Sequence, residues 1–411
     1  MVVLGRGGFS PVRILIVSQY FRPDNFRIND IAAALAEEGH TVRVLTGLPD
    51  YATSRVPEEF SWFRRRKERW NGVDIVRVPI IARRDGKFFR ALNYASFAVT
   101  GWLYAKFCKK QYDVVISYET SPIMQSIPAV AYKNRAKVPL LLYCCDIWPE
   151  CLKAWNVAEN SALFRSMYAL SRWIYNEADL VPVTSRPFAA YLREVNAVPA
   201  EKIVYLPQHA EDMYADICGQ YEDNGCVDFL FAGNIGAVQD VECIVRAAAF
   251  LPAETGWCIH IVGDGSQRAA CEQLAAELGV GERVLFHGKF PLAQMRRFYL
   301  LADCFLLTLR GDTAIGMTLP AKAQGYISAG KPIVAAINGA AADMIREADC
   351  GLCVPAGDAE QLAQAMREVL AQPALYREKG QNGRQFYERN YTKTRFMQSL
   401  NGLLRQLADK L

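Results

Sequence analysis

The sequence reads as α/β, two Rossmann-like doubly wound parallel-sheet domains facing across a cleft. Three observations predict this. Short apolar runs alternate with longer stretches of helical period along the whole chain. A Pro- and charge-containing stretch from Leu206 to Cys226 interrupts the alternation once, after which it restarts. The length, 411 residues, exceeds what one hydrophobic core organises. The domains are expected at 1–207 and 208–385, with 386–411 a C-terminal helix able to cross back to the first domain.

In the first half, "VRILIVSQY" at 12–20 is a strand and "INDIAAALAEEGH" a helix closed by Gly39. Strands follow at "TVRVLTGLP", "YDVVISY" (112–118), "PLLLYCC" (139–145) and "ADLVPVTS" (178–185). The second half repeats the grammar. Its strands are "VDFLFAGNIG" (227–236), "WCIHIVGDGS" (257–266), "RVLFHGKF" (283–290), "ADCFLLTL" (302–309), "KPIVAAI" (331–337) and "CGLCVPAGD" (350–358). Sheets of this kind bind ligands beyond the carboxyl ends of their strands.

Composition narrows the function. At 51% hydrophobic and 22% charged residues the balance is that of a globular protein. The net charge of +4 is unevenly spread: residues 60–110 carry thirteen Lys or Arg against Glu68, Asp74 and Asp85. Twelve cysteines follow a start without a secretory pattern, so a reduced cytosolic chain is expected. With four scattered histidines and "CGLC" (350–353) as the sole C-x-x-C, no zinc spacing is present. The run "FFRALNYASFAVTGWLYAKF" at 88–107 contains Arg90, Asn93 and Lys106, which makes it an amphipathic helix and not a membrane span.

Turns at strand ends carry the site signal. "GNIG" (233–236) and "GDG" (263–265) place glycines where helix-start amides can face an anion, although glycine there also serves backbone geometry alone. Lys322, just inside a helix after Pro320, is positioned to meet a diphosphate, or else is a solvated surface lysine. Asp146, at the end of an apolar strand, and Glu150 are candidates for accepting a proton from an attacking hydroxyl; a helix-capping Asp and an exposed Glu are the alternatives. "SWFRRRKERW" interleaves Trp62, Phe63 and Trp70 with Arg64, Arg65 and Arg66, which suits an anionic membrane surface better than nucleic acid, with a solvated loop the remaining option. The loop after the first strand, "YFRPDNFRIND", has Asn25, Arg27 and Asn29 where dinucleotide-binding proteins have glycines, which argues against a nicotinamide enzyme.

Taken in order, "QYFRPDNFRIND", "GHTVRVLTGLPDY", "SYETSP", "DIWPE", "YLPQHAE", "GNIGAVQD", "GDG", "FHGKFP" and "LPAKAQGYISAGKP" resemble the retaining glycosyltransferases of family 4, which have the GT-B fold. The similarity spans about residues 12–400 and runs closest to the branch of L-fucosamine and colanic acid biosynthesis transferases. It implies a UDP-sugar donor on the second domain and a polyprenyl-diphosphate-linked acceptor on the first, at the inner face of the cytoplasmic membrane. Gly233, Asn234, Gly236 and Gln239 would then lie near the diphosphate, Gly263 and Asp264 near the nucleoside, and Lys289 and Lys322 among the donor contacts. The loop around Asn25 and Arg27 would close over the reacting centre, and Asp146 would orient or deprotonate the acceptor hydroxyl. No metal cofactor is expected, there being no suitably placed Asp-x-Asp. Three departures stand out: Asn25 and Phe26 replace the usual Gly-Gly, Asn234 and Gln239 replace a basic pair, and Met317 and Gly325 replace two glutamates. A UDP-sugar 2-epimerase of the same architecture and a non-catalytic UDP-sugar-binding subunit are the alternatives.

Overall fold

A computed structural model describes residues 11–409 except 52–53, 85, 156, 211, 222–223 and 312–313. The chain divides into two compact units. The first comprises residues up to Thr184, Phe188–Leu206 and the chain from Met397; the second comprises Ser185–Pro187 and Pro207–Phe396.

The first unit is built on an eight-stranded sheet of β1 (Arg13–Val17), β2 (Thr41–Thr46), β3 (Lys67–Trp70), β4 (Val73–Arg77), β5 (Val114–Glu119), β6 (Leu140–Cys144), β7 (Val181–Val183) and β8 (Ile203–Tyr205). Its order is β3-β4-β2-β1-β5-β6-β7-β8, parallel except for β3. Strands buried on both faces need continuous apolar runs, which is why β5 and β6 show no polar alternation. The order reverses between β1 and β5, the position where such sheets bind ligands.

The antiparallel β3–β4 hairpin was not expected from the basic, aromatic composition of its first strand. Asn71 and Gly72 both take positive φ, 45° and 77°, giving the two-residue turn that matches strand twist. Fully buried Arg77 pins the hairpin by donating to Glu68 Oε1 and to the Arg22 carbonyl, 2.8 Å each.

The second unit holds a six-stranded parallel sheet of β9 (Val227–Ala232), β10 (Trp257–Val262), β11 (Val284–Gly288), β12 (Cys304–Thr308), β13 (Ile333–Ala336) and β14 (Gly351–Val354). The order β11-β10-β9-β12-β13-β14 reverses between β9 and β12. Alternate residues of β9 feed two cores: Phe229 and Phe231 join Ile259, Ile261 and Met366, whereas Leu230 and Ala232 join Phe305, Tyr326 and Ile333. The final stretch is two helices, Pro373–Asn390 and Lys393–Ala408. The second of them belongs to the first unit from Met397 onward, where Asn401 donates to Glu38 Oε2 at 2.7 Å and meets His40 at 3.0 Å.

Candidate active site

In the second unit the carboxyl ends of β9, β10 and β11 are laced by backbone bonds, Gly233 N to Val262 O and Gly263 N to Gly288 O, both 2.9 Å. They surround a cavity of about 780 Å³ lined by Gly233, Asn234, Gly263, Asp264 and Lys289, with Phe290 and Tyr299 on the apolar side. Five of the eight donor residues expected from the sequence therefore line one space, of a size that suits a small ligand. Gly263, at φ 155°, must be glycine because a Cβ would overlap the Gly233 carbonyl. Tyr214 stacks on Tyr299 with ring centroids 3.9 Å apart. This aromatic pair was not singled out from the sequence, because its two members are far apart in the chain.

Lys322 reaches the same turn from behind. Its helix, Ala321–Ser328, is docked by Tyr326, one turn further on the same face. The Tyr326 hydroxyl accepts from Ala232 N at 2.9 Å, and its ring stacks on Phe305 at 4.2 Å. Lys322 Nζ is thereby held 4.1 Å from the centre of the Phe231 ring, and a Cβ on Gly233 would lie only 2.6 Å from it. The ammonium is buried without a hydrogen-bond partner, and burial lowers its pKa to about 8. A buried, unpaired cation behind a glycine turn is a site waiting for an anion.

Asn234, Gly236 and Gln239 form a local unit. Asn234 Nδ2 donates to Gln239 Oε1 at 3.0 Å across Gly236, where a Cβ would crowd both side chains. The two amides that replace the family's basic pair thus satisfy each other and add no charge. Gly325 lies below the tyrosine pair, a Cβ there falling 3.5 Å from the Tyr299 hydroxyl, so the ring occupies the neighbourhood of that glutamate position. Met317 ends a short 3₁₀ turn, and its carbonyl accepts from Ser185.

In the first unit Asp146 follows β6. Its Oδ2 accepts from Ser121 N at 2.8 Å and Ser121 Oγ at 2.9 Å, in the loop after β5. Trp148 Nε1 donates to the same Oγ at 3.2 Å. Burial raises the Asp146 pKa, and the Ser121 bonds hold it down in part. Asp146 therefore orders the loop next to the strand-order reversal and does not cap a helix. Next to it, Glu119 ends β5 fully buried, its carboxyl group beside the Cys144 thiol and the Asp146 backbone. Burial and the Asp146 charge push its pKa well above the usual carboxylate range. Glu119 was overlooked in the sequence because only its burial makes it unusual.

Glu150 is engaged elsewhere: it accepts from the Tyr191 hydroxyl at 2.7 Å and pairs with Lys153. That arrangement gives it a structural task. Asn25 is exposed in the loop after β1, and Arg27 opens the helix Arg27–Glu37 half-buried. The loop is shaped by aromatic contacts in place of glycines, with Phe26 stacked on Tyr20 at 5.4 Å and edge-on to Tyr51 at 4.8 Å.

The basic aromatic segment separates into two parts. Trp62, Phe63, Arg64 and Arg65 are exposed, Phe63 to 92%. Arg66 and Trp70 turn inward: Arg66 donates to the Arg77 carbonyl at 3.0 Å, and Trp70 packs beside Phe21 under Arg22. The helix Lys87–Phe107 buries Asn93, Tyr94, Phe97 and Gly101, yet exposes Phe88, Val99, Trp102, Leu103 and Phe107 on another face. Among the described residues no helix is long and apolar enough to cross a membrane.

Comparison with known proteins gives the arrangement a family. Residues 25–209 match the glycosyl transferase 4-like domain, and residues 222–386 match the glycosyl transferases group 1 family. A protein of Escherichia coli K12 named as a colanic acid biosynthesis glycosyl transferase, WcaI, is 25% identical over 362 residues, 82% of this chain and 86% of its own. The lipopolysaccharide core biosynthesis mannosyltransferase LpcC of Rhizobium leguminosarum is 26% identical over 260 residues, 60% of this chain and 70% of its own. Among solved structures, sucrose-phosphate synthase of Thermosynechococcus elongatus superposes with a TM-score of 0.75 at 20% identity, covering 97% of this chain and 100% of that one. Anabaena HepE in complex with UDP superposes at 0.70 and 14% identity, covering 96% and 100%. At these identities the structural likeness is one of fold, the two-sheet GT-B architecture. With the two family matches spanning most of the chain in this order, the protein belongs to the glycosyltransferases built from a 4-like domain followed by a group 1 domain.

Proposed function

We propose that the chain is a retaining transferase that moves an N-acetylated amino or deoxyamino hexose from a UDP-sugar to a polyprenyl-diphosphate-linked glycan during bacterial surface polysaccharide assembly. The observation that carries this reading is the buried, unpartnered Lys322 ammonium behind the Gly233 turn of the cavity. Support for the polysaccharide context comes from the names of the relatives, and for the nucleotide from the UDP complex of a protein with the same fold.

In this reading the sugar–phosphate bond breaks as UDP departs with growing negative charge. Lys322 and the amides at the start of its helix supply the fixed positive field for the leaving group, with Arg27 a further cationic candidate from the first unit. No divalent cation is assigned, since Asp264 is the only carboxylate among the described residues lining the cavity. The acceptor oxygen attacks the face that UDP leaves, within the ion pair, so configuration is kept. Its proton passes to Asp146. Thermal shift against UDP, GDP and their sugars, followed by assay of the best donor with synthetic polyprenyl-diphosphate sugars, tests the assignment. UDP is expected to stabilise the protein more than GDP, and transfer is expected to require the lipid-linked acceptor. A preference for GDP, or epimer formation from UDP-N-acetylhexosamine alone, would contradict it.

For the membrane partner, the reading rests on Phe63 and the outer face of Lys87–Phe107, bordered by Lys87, Lys106, Lys109 and Lys110. Apolar anchors beside basic groups suit an anionic interface, worth up to about 1 kcal/mol per Lys or Arg close to it. The protein should therefore float with vesicles containing anionic lipid, and an Arg64→Glu, Arg65→Glu, Phe63→Ser, Trp102→Ser variant should not. Equal flotation of the two would remove the membrane from the account.

A further inference from the structure

At the opposite end of the second sheet, the strands that lead to the donor turns begin with paired thiols and a carboxylate. Cys226 precedes β9, Asp228 is its second residue, and Cys258, the second residue of β10, lies directly beside Asp228 in the parallel register. The Sγ atoms of Cys226 and Cys258 and a carboxylate oxygen of Asp228 all fall within 4.8 Å of one another. No other such trio of His, Cys, Asp or Glu occurs among the described residues.

The carboxylate is held in place. His260, two residues after Cys258 on the same face of β10, donates from Nε2 to Asp228 Oδ1 at 2.9 Å. His260 Nδ1 in turn lies 2.8 Å from His287 Nε2, a ring-to-ring hydrogen bond that orients the His260 imidazole. Asn224 Nδ2 donates to Asp228 Oδ2 at 2.8 Å, and Asp228 N donates to Asp303. Each carboxylate oxygen keeps a second lone pair for a ligand. A ligating group oriented by a buried histidine and an amide is the second layer that metal sites use. Asp228 is buried, whereas both cysteines are partly exposed, which leaves an entry path.

We propose that Cys226, Asp228 and Cys258 form a zinc site that staples the start of β9 to β10. Two thiolates with one carboxylate are a borderline-soft donor set, suited to Zn²⁺ and poorly suited to Mg²⁺ or Ca²⁺. Binding replaces the two thiol protons, which leave to solvent, and water completes a four-coordinate shell. Six-residue strands separate this place from the donor cavity by about 16–20 Å, so the ion is structural and takes no part in transfer. Sequence spacing hides the site, because its ligands come from two strands and one of them is an aspartate.

Cobalt titration of the reduced, chelator-treated full chain tests this. A thiolate-to-cobalt charge-transfer band saturating at one equivalent is expected, abolished by one equivalent of zinc. The band should weaken by about half in Cys258→Ser and vanish in Cys226→Ser, Cys258→Ser. Zinc should raise the melting temperature of the wild type and leave that of the double variant unchanged. His260→Gln should lower zinc affinity by about 10–100-fold while keeping the band. An unchanged band in the double variant, absence of any band, or formation of a Cys226–Cys258 disulfide without metal uptake would overturn the proposal. If the double variant does not fold, the zinc-dependent melting shift and the His260→Gln affinity decide.

Discussion

Replacing Lys322 by Met is expected to make the protein more stable and nearly inactive. The ammonium ordinarily titrates near 10.5, and burial lowers it to about 8 in the folded chain. Between those values the unfolded chain carries a proton that the folded chain has released, so this group makes stability rise with pH from about 8 to 10.5. Below pH 8 the buried charge costs the fold its full amount, about 3 kcal/mol from the size of the shift. Methionine fills a similar volume beside Phe231 without the charge. A gain of roughly 5 °C in melting temperature at pH 7, shrinking toward pH 10, is therefore expected. Turnover should fall about 10²–10³-fold, the usual loss when a fixed donor to developing oxyanion charge is removed. A variant that loses stability, or that keeps its turnover, would place the lysine in the core and not in the reaction.

The second large effect is expected at Asp146. Its carboxylate is fixed by Ser121 and raised by burial, so it remains a base whose strength exceeds that of an exposed aspartate. Asp146→Asn keeps an oxygen for Ser121 but cannot take the acceptor proton, and kcat should drop by about 10²–10⁴ with donor affinity unchanged. Rate should also fall as pH drops through the raised Asp146 pKa, because the protonated acid no longer accepts. Glu119→Gln provides the comparison. Burial raises the Glu119 pKa and so favours its neutral acid, the form that glutamine mimics, and kcat is expected within about threefold of wild type with the acid limb of the pH profile kept. Equal losses in both variants would mean that the region merely supports the loop after β5.

How far the site could be read in advance depended on how local each signal is. The turns at Gly233 and Gly263 were legible because a glycine ending an apolar run reports a close backbone approach within a few residues. Lys322 was legible from its place after Pro320, but its burial was not: that depends on Tyr326 docking the helix against β9. The Tyr214–Tyr299 stack and the raised pKa of Glu119 arise from contacts between distant segments, for which periodicity carries no signal. The β3–β4 hairpin had a local signal, Asn71-Gly72 between alternating residues, which the density of charge around it obscured. Arg66 and Trp70 face inward as a result of that hairpin, which leaves Phe63 and the outer face of the Lys87–Phe107 helix as the exposed apolar surface.

The central claim is that a buried lysine meets the donor's diphosphate, and proton uptake on binding measures it directly. At pH 8 about half of the Lys322 side chains in the free protein are deprotonated. A bound diphosphate restores the charge, so calorimetric titration of UDP in two buffers of different ionisation enthalpy should show about 0.5 proton taken up per UDP, and none in Lys322→Met. Binding without proton uptake, or the same uptake in both proteins, would contradict the account.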